Sequence, residues 1–247
     1  MRVLLTIDIG NSFIKWGLHN GTRWLIQDKV ATDTVSLLKQ QWDSLSEKPN
    51  SIIISHVASQ SVIEQLSGLL SDWPVSPHWI KALPFQCGVH NGYDDPYQLG
   101  CDRWAALIAA RKLQKQSCLV INVGTTITVD ALSASGKFIG GIILPGQNLM
   151  LRSLKTNTEK LCDDVGSYQN FPTNTISATY SGVIQSAVGS IERMRHLFFE
   201  HLGDEPFCII SGGGAHVLLP FINFPLKVVE NLVLEGLVVI AATSEQI

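Results

Sequence analysis

Asp8 ends an apolar run and is followed by Gly10, Asn11 and Ser12, with Lys15 three residues further on. The string puts a carboxylate, a tight backbone turn, two small hydrogen-bonding side chains and a cation at one point. That combination suits a phosphate with bound magnesium. Glycine lets backbone N–H groups approach phosphate oxygens, and a carboxylate fixed at a strand end can hold a hydrated Mg²⁺, which keeps several of its waters. An ordinary hairpin explains the same residues, because Gly-Asn belongs in turns. A second string, Asn122-Val123-Gly124-Thr125-Thr126 with Asp130 behind it, repeats the design. A third, Ser211-Gly212-Gly213-Gly214-Ala215, lies where a strand enters a helix. Two such hairpins facing each other could hold a triphosphate from both sides, with the glycine turn against a flat adenine ring. A plain strand-to-helix turn is the alternative for the last of them. No G-x-x-x-x-G-K-[ST] and no G-x-G-x-x-G occurs, so neither a P-loop nor a dinucleotide-binding fold competes.

Between the two strings, Asn91 to Trp104 is dense in polar and aromatic residues for a loop that enters an apolar helix. Substrate binding is the natural reading. Asp102 could accept the proton of a hydroxyl that attacks a γ-phosphate, and Arg103 could hold an anion or the developing phosphoryl charge. The alternative is that Asp102 only caps the helix and Arg103 pairs on its surface.

The elements that must position these residues follow from periodicity. Residues 3 to 9, 13 to 18 and the stretch after Asn20-Gly21 read as three antiparallel strands. From Asp33 onward Val35, Leu38, Trp42 and Leu45 mark a helical face, with Asp33 or Thr34 as its cap. Residues 51 to 57 are a short continuous apolar run of the buried parallel kind. Val62, Leu66, Leu69 and Leu70 mark a second helix. Residues 74 to 100 are loop-rich, and 103 to 113 form a helix with Asp102 as N-cap. The pattern then restarts: strands at 118 to 123, 125 to 132 and 137 to 144, a polar irregular stretch at 155 to 176, and a long helix at 177 to 201. Val183, Ala187, Ile191, Met194 and Phe198 face inward on that helix. A strand at 207 to 211, another near Val228 and a helix at 232 to 243 close the chain. The halves, 1–115 and 116–247, read as diverged copies of one β-β-β-α-β-α unit.

Composition narrows the function classes. The chain has 247 residues, 45% hydrophobic and 16% charged, with 18 Lys+Arg against 21 Asp+Glu for a net of −3. That is apolar enough for a core, and it disfavours a basic nucleic-acid binder. The five cysteines (Cys87, Cys101, Cys118, Cys162, Cys208) contain no C-x-x-C pair. A reducing compartment fits them best, with no disulfide framework and no structural metal. They read as small apolar fillers, and the seven histidines lack the paired spacing of a metal site. The first residues read as a buried strand rather than a signal peptide, and no uncharged apolar run reaches membrane-spanning length.

Two hairpins and a glycine turn in this order resemble the acetate kinase, sugar kinase, heat-shock 70 and actin superfamily of duplicated ATPases. A more specific likeness comes from DIGNSFIKWG (8 to 17), GYDDPYQLGCDRW (92 to 104), NVGTTITVD (122 to 130), GGIILPG (140 to 146) and NTISATYSG (174 to 182). Together these resemble type III pantothenate kinase, also called the Bvg accessory factor family, across nearly the whole chain. The Pro96 to Trp104 string, P-x-x-L-G-x-D-R-W, is the most specific of them.

The resemblance implies an α/β fold of the actin-like, ribonuclease H-like ATPase kind, in two domains with a cleft between them. It implies ATP-dependent phosphorylation of pantothenate with Mg²⁺, in a cytoplasmic homodimer with no nucleic-acid or membrane partner. The first half would carry the first phosphate loop and the substrate segment, and the second half the second phosphate loop and the adenosine-side glycine turn. Asp8, Ile9, Gly10, Asn11, Ser12, Phe13, Ile14 and Lys15 would form the first ATP phosphate loop, with Asp8 holding magnesium and Thr125 a second phosphate contact. Tyr93, Gly100, Cys101, Asp102, Arg103 and Thr175 would bind pantothenate, with Asp102 as proton acceptor. A monovalent cation, potassium or ammonium, would bind near the second loop at Asn122. There the family usually has Asp, so the oxygen ligand is kept and the charge is lost, which leaves open a weak, altered or dispensable cation site. Ser12 and Thr126 stand where the family usually has Thr and Ala. Two rivals stay open: a regulatory protein that keeps the fold without the reaction, and another kinase or polyphosphate hydrolase on the same fold.

Overall fold

Three antiparallel strands, β1 (Leu4–Ile9), β2 (Phe13–His19) and β3 (Trp24–Ala31), open the computed structural model, which describes residues 3–71, 73–157 and 166–243. A short 3₁₀ turn at 32–34 leads to helix α1 (Leu37–Asp43). Strand β4 (Ser51–His56) then runs parallel to β1, and α2 (Gln60–Leu70) and β5 (Pro77–Trp79) follow, giving the sheet order β3-β2-β1-β4-β5. A two-residue hairpin joins β6 (Phe85–Gln86) to β7 (Val89–His90). Its turn residues Cys87 and Gly88 both have positive φ, as the twist of a tight hairpin demands.

Strand alternation splits this sheet into two chemically distinct faces. Leu5, Ile7, Ile9, Ile14, Trp16, Ile52 and Ile54 point one way and form a core with Leu38 and Trp42 of α1 and Leu66 and Leu70 of α2. The other face carries Thr6, Asp8, Lys15 and Ser55, as the pairings Asp8↔Lys15 and Asp8↔Ser55 require.

Helix α3 (Cys101–Leu113) is buried almost all round, from Arg103 through Ala110. Its alanine-rich run admits the last helix, α7 (Leu232–Thr243), at backbone contact: a side chain on Gly236 would overlap the carbonyl of Ala105. Helix α7 also lies against β1, β2 and β4. The first unit is therefore Met1–Lys115 with Gly136–Phe138 and Asn231–Ile247, and the second is Gln116–Ser135 with Ile139–Glu230. The second begins beside the expected boundary at 115/116, and the chain returns to the first after Glu230.

The second unit repeats the plan with β8 (Cys118–Val123), β9 (Thr126–Leu132), β10 (Phe138–Pro145), β11 (Phe207–Ser211) and β12 (Lys227–Val228), in the order β10-β9-β8-β11-β12. Leu119, Ile121, Val123, Ile127 and Val129 pack under α5 (Thr175–Leu202), using Ile184, Ala187, Ile191 and Phe198. Asn174 caps α5 by accepting from the Ser177 amide at 2.9 Å, and left-handed Gly203 ends it. Two further helices are α4 (Gln147–Asn157), between β10 and α5, and the short α6 (Ala215–Leu218) after β11.

Three local expectations are corrected. Helix α1 starts at Leu37 rather than Asp33, and neither Asp33 nor Thr34 caps it; the Thr34 hydroxyl donates to the Ala31 carbonyl at 2.9 Å instead. Gly100, not Asp102, is the N-cap of α3, which places Asp102 inside the first turn. Helix α4 was not expected, because its apolar face (Met150, Leu151 and Leu154) is short and only Gln147 in it is buried. Cys162 and part of the stretch expected to be irregular lie outside the described residues. No helix among the described residues is long and apolar enough to cross a membrane.

Candidate active site

Asp8, the penultimate residue of β1, lies between Lys15 on one neighbouring strand and Ser55 on the other. It is 8% exposed, and its Oδ1 is buried without a hydrogen-bond partner. Burial and, after it, the charge of Asp102 raise its carboxyl to about 7, net of the opposing pull of Lys15 and of a hydrogen bond from the Ser55 hydroxyl. A buried carboxylate with one unpartnered oxygen, repelled by a second carboxylate, is an arrangement a divalent cation relieves, and the all-oxygen donor set is the kind Mg²⁺ prefers. These residues fit magnesium.

The turn after Asp8 is closed by its own backbone. The Gly10 amide donates to the Phe13 carbonyl at 3.0 Å, and the Thr32 hydroxyl donates to the Gly10 carbonyl at 3.1 Å. Asn11, Ser12 and Phe13 are exposed at its tip. The side chains of Ile9 and Ile14 are fully buried on the apolar face, so only their backbone is available to a ligand.

Asp102 enters from the start of α3. Its carboxylate accepts the Arg103 amide at 2.8 Å and folds back over Gly100, where a Cβ would sit 2.6 Å from Asp102 Oδ1. Burial raises the Asp102 carboxyl, and hydrogen bonding and charge from Arg103 oppose that rise. Cys101 turns away from this carboxylate: its thiol donates to the His56 carbonyl at 2.9 Å and accepts the His56 amide at 3.1 Å.

Arg103 is buried, donates from Nη1 to the Tyr93 hydroxyl at 2.7 Å, and lies over the rings of Tyr93 (5.6 Å) and Phe138 (5.8 Å). Those two rings stack on each other at 5.6 Å. Asn91 fixes the loop below them, accepting the Tyr93 amide at 3.1 Å and donating to the Pro96 carbonyl at 3.0 Å. A rigid, desolvated guanidinium beside a tyrosine hydroxyl is suited to holding a carboxylate or phosphoryl oxygen.

In the second unit three glycine turns meet backbone to backbone. The Gly124 amide donates to Thr126 O and the Gly146 amide to Thr125 O, both at 2.9 Å, while the Gly214 amide donates to Val123 O at 3.0 Å. Gly212 has φ +100, and a side chain there would overlap the Val123 backbone. Thr125 is exposed at the tip. Asn122 stands between Thr128 and Ser211, the position Asp8 holds in the first sheet, and the buried Asp130 lies two residues beyond Thr128 on the same face. Thr175 is exposed in the first turn of α5.

The structure thus gathers Asp8, Lys15, Gly100, Cys101 and Asp102 at one place in the first unit, with Tyr93 and Arg103 joined nearby. In the second, Asn122 lies near the end of β8, just before the turn that carries Thr125. Two residues at the site were not singled out in sequence. Ser55 was hidden in an apolar strand, though the alternation of Ile52, Ile54 and their neighbours puts it on the face opposite the core. Phe138 carries no sequence signal, since it is brought to Tyr93 by the turn at Gly136, whose carbonyl accepts the His90 amide at 2.9 Å.

The model of the type III pantothenate kinase family matches residues 4–196. A type III pantothenate kinase of Nitrosospira multiformis is 46% identical over 244 residues, spanning 99% of this chain and 93% of its own. One of Nitrosomonas eutropha is 47% identical over 241 residues, spanning 96% and 94%. Among solved structures, a Baf family protein of Campylobacter jejuni superposes with a TM-score of 0.62 at 19% identity, over 98% of this chain and all of the other. MreB 5 of Spiroplasma citri bound to AMPPNP superposes with a TM-score of 0.53 at 14% identity, over 100% and 98%. The fold is the actin-like ATPase fold.

Proposed function

Because the chain belongs to the type III pantothenate kinase family, we propose that it transfers the γ-phosphoryl group of ATP to the 4′-hydroxyl of pantothenate. The product is 4′-phosphopantothenate, in the first step of coenzyme A biosynthesis. The observation that carries the reading is the pair Asp8 and Asp102: two carboxylates on adjacent elements, near enough to repel, one with an unpartnered oxygen and the other on a fixed helix turn.

Asp8 would hold hydrated magnesium, which when bound neutralises charge on the transferring phosphates. Lys15 and the amides at the tip of the first turn position phosphate oxygens, and Thr125 adds a contact from the second. Asp102 receives the hydroxyl proton as the new bond forms. Its burial supports that role, because a carboxylate raised above its ordinary range is a better base. Tyr93 and Arg103 bind pantothenate through the hydroxyl and guanidinium described above, with Gly100, Cys101 and Thr175 contributing to the same substrate. Little covalent chemistry is required of the protein beyond positioning.

The finer assignments are also proposals. The enzyme acts as a cytoplasmic homodimer, with its first half supplying the magnesium and pantothenate groups and its second the adenosine-side glycine turn. Potassium or ammonium binds beside Asn122 through neutral oxygens, and weakly for want of a carboxylate at that position.

A coupled assay of ATP-dependent pantothenate phosphorylation, with sodium, potassium or ammonium as the sole monovalent ion, tests the reading. Turnover is expected with Mg²⁺. Asp102→Asn should lower kcat by about 10²- to 10⁴-fold while nucleotide binding persists. Absence of pantothenate turnover refutes the kinase reading, and near-normal turnover in Asp102→Asn removes that residue from the role of base.

A further inference from the structure

Ser55 and Cys101 lie on the elements next to the two carboxylates; Ser55 has no assigned part in substrate binding, and Cys101, whose thiol is bonded to His56, offers a substrate only its backbone. Ser55 is fully buried on the face of the sheet that carries Asp8, directly across from it in the β1–β4 register. A fully buried hydroxyl in an otherwise apolar strand costs stability unless its hydrogen bond is made. Its neighbours are the Asp8 carboxylate and the Cys101 sulfur, to which the hydroxyl donates. The Cys101 sulfur lies 3.5 Å from the Ser55 oxygen, and its two bonds to His56 fasten the first residue of α3 to the last residue of β4. One further backbone bond, from the Val57 amide to the Ile9 carbonyl at 3.0 Å, fastens the same strand end to β1 just past Asp8. Two residues of β4 therefore join the strand that carries Asp8 to the helix turn that carries Asp102.

We infer that Ser55 and Cys101 are positioning residues that set the separation and orientation of the Asp8 and Asp102 carboxylates for phosphoryl transfer. The inference rests on the kinase reading above. Two like charges in a buried pocket push apart unless their supports resist, and a displacement of about 1 Å at a reacting centre can cost about 100-fold in rate. The Ser55 hydroxyl, held by the Cys101 sulfur directly across the strand pair from Asp8, limits the rotation of that carboxylate. The thiol, with its proton on the His56 carbonyl, fixes the entry of α3. A cysteine that only filled space would make neither bond.

The substitutions separate those roles. Cys101→Ser keeps a donor and an acceptor and loses apolar character, whereas Cys101→Val keeps the apolar volume and loses both bonds. Ser55→Ala removes one hydroxyl and nothing else. Each variant is assayed for kcat and pantothenate KM, and separately, without turnover, for the Mg²⁺-dependent affinity of a non-hydrolysable ATP analogue by calorimetry. Ser55→Ala is expected to lose about 10- to 100-fold in kcat, with KM changed less than about threefold and the magnesium enhancement of analogue binding reduced at least about fivefold. Cys101→Ser should retain most activity and Cys101→Val should lose it. Wild-type kcat and magnesium dependence in Ser55→Ala, or an active Cys101→Val beside an impaired Cys101→Ser, would overturn the inference. If Ser55→Ala does not fold, the two Cys101 variants decide. If the wild type does not phosphorylate pantothenate, the kinase reading falls, and the analogue titration still decides whether Ser55 orients Asp8.

Discussion

Replacing Asp8 by asparagine keeps the shape of the side chain and removes a charge that the fold buries. In the unfolded chain this carboxyl ionises at its ordinary value of 3.8, and in the folded protein at about 7. Between those values the native state holds a proton that the unfolded state has released. Stability contributed by this group is therefore highest at low pH, falls as pH rises from about 4 to about 7, and is level above that. At about 1.4 kcal/mol per pH unit, the whole interval amounts to roughly 4 kcal/mol, an upper bound because water entry and relaxation reduce it. Asparagine does not titrate. Metal-free Asp8→Asn should thus be more stable than the wild type, with the gap widening by up to about 3 kcal/mol between pH 5 and pH 8. In thermal unfolding that corresponds to a widening of up to about 10 °C for a chain of this size. Urea denaturation of both proteins at the two pH values reads the quantity directly. Asp102 titrates in both proteins, so the difference reports Asp8 and its effect on that neighbour. Adding Mg²⁺ should narrow the gap, because only the wild type gains a stabilising ligand there. Turnover should be lost in the variant, stability and function being opposed at this residue. A gap that does not change with pH, or a variant less stable than the wild type at pH 8, would refute the reasoning.

Two glycines give further tests. Gly100→Ala places a Cβ 2.6 Å from Asp102 Oδ1 and must rotate that carboxylate away; kcat should fall by about 100-fold in the coupled assay, and an unchanged kcat would show that the carboxylate does not need this seat. Gly212→Ala combines a φ of +100 with overlap on the Val123 backbone and should cost more than about 2 kcal/mol in denaturant unfolding, whereas Gly213→Ala, with open space around its Cβ, should cost far less. Equal losses at the two positions would contradict the close packing described.

Most strands and turns were legible because their causes are local, whereas the short β5, β6 and β7 fall in the stretch read as loop. Alternation in residues 4 to 9 and 118 to 123 fixes which side chains face the core, and Gly10, Gly124 and Gly212 mark places where the backbone turns or is crowded. The repeat of the β-β-β-α-β-α order was legible for the same reason, as were the strings around Asp8 and Asp102. Helix α4 and the start of α3 were misread because the apolar stripe is weak in one, and in the other a glycine cap leaves Asp102 free to bend back from the first turn. What only the tertiary structure decided is who meets whom over long separations. Asp8 meets Ser55 through a parallel register across 47 positions, and α7 reaches Ala105 because Gly236 has no side chain. Phe138 joins Tyr93 and Arg103 through a turn from the far half of the chain. Sequence periodicity determines the face a residue occupies. The strand or helix that covers that face is selected by packing of the whole chain, and the burial that raises Asp8, the repulsion it shares with Asp102 and the bonds that tie them together exist only after that selection.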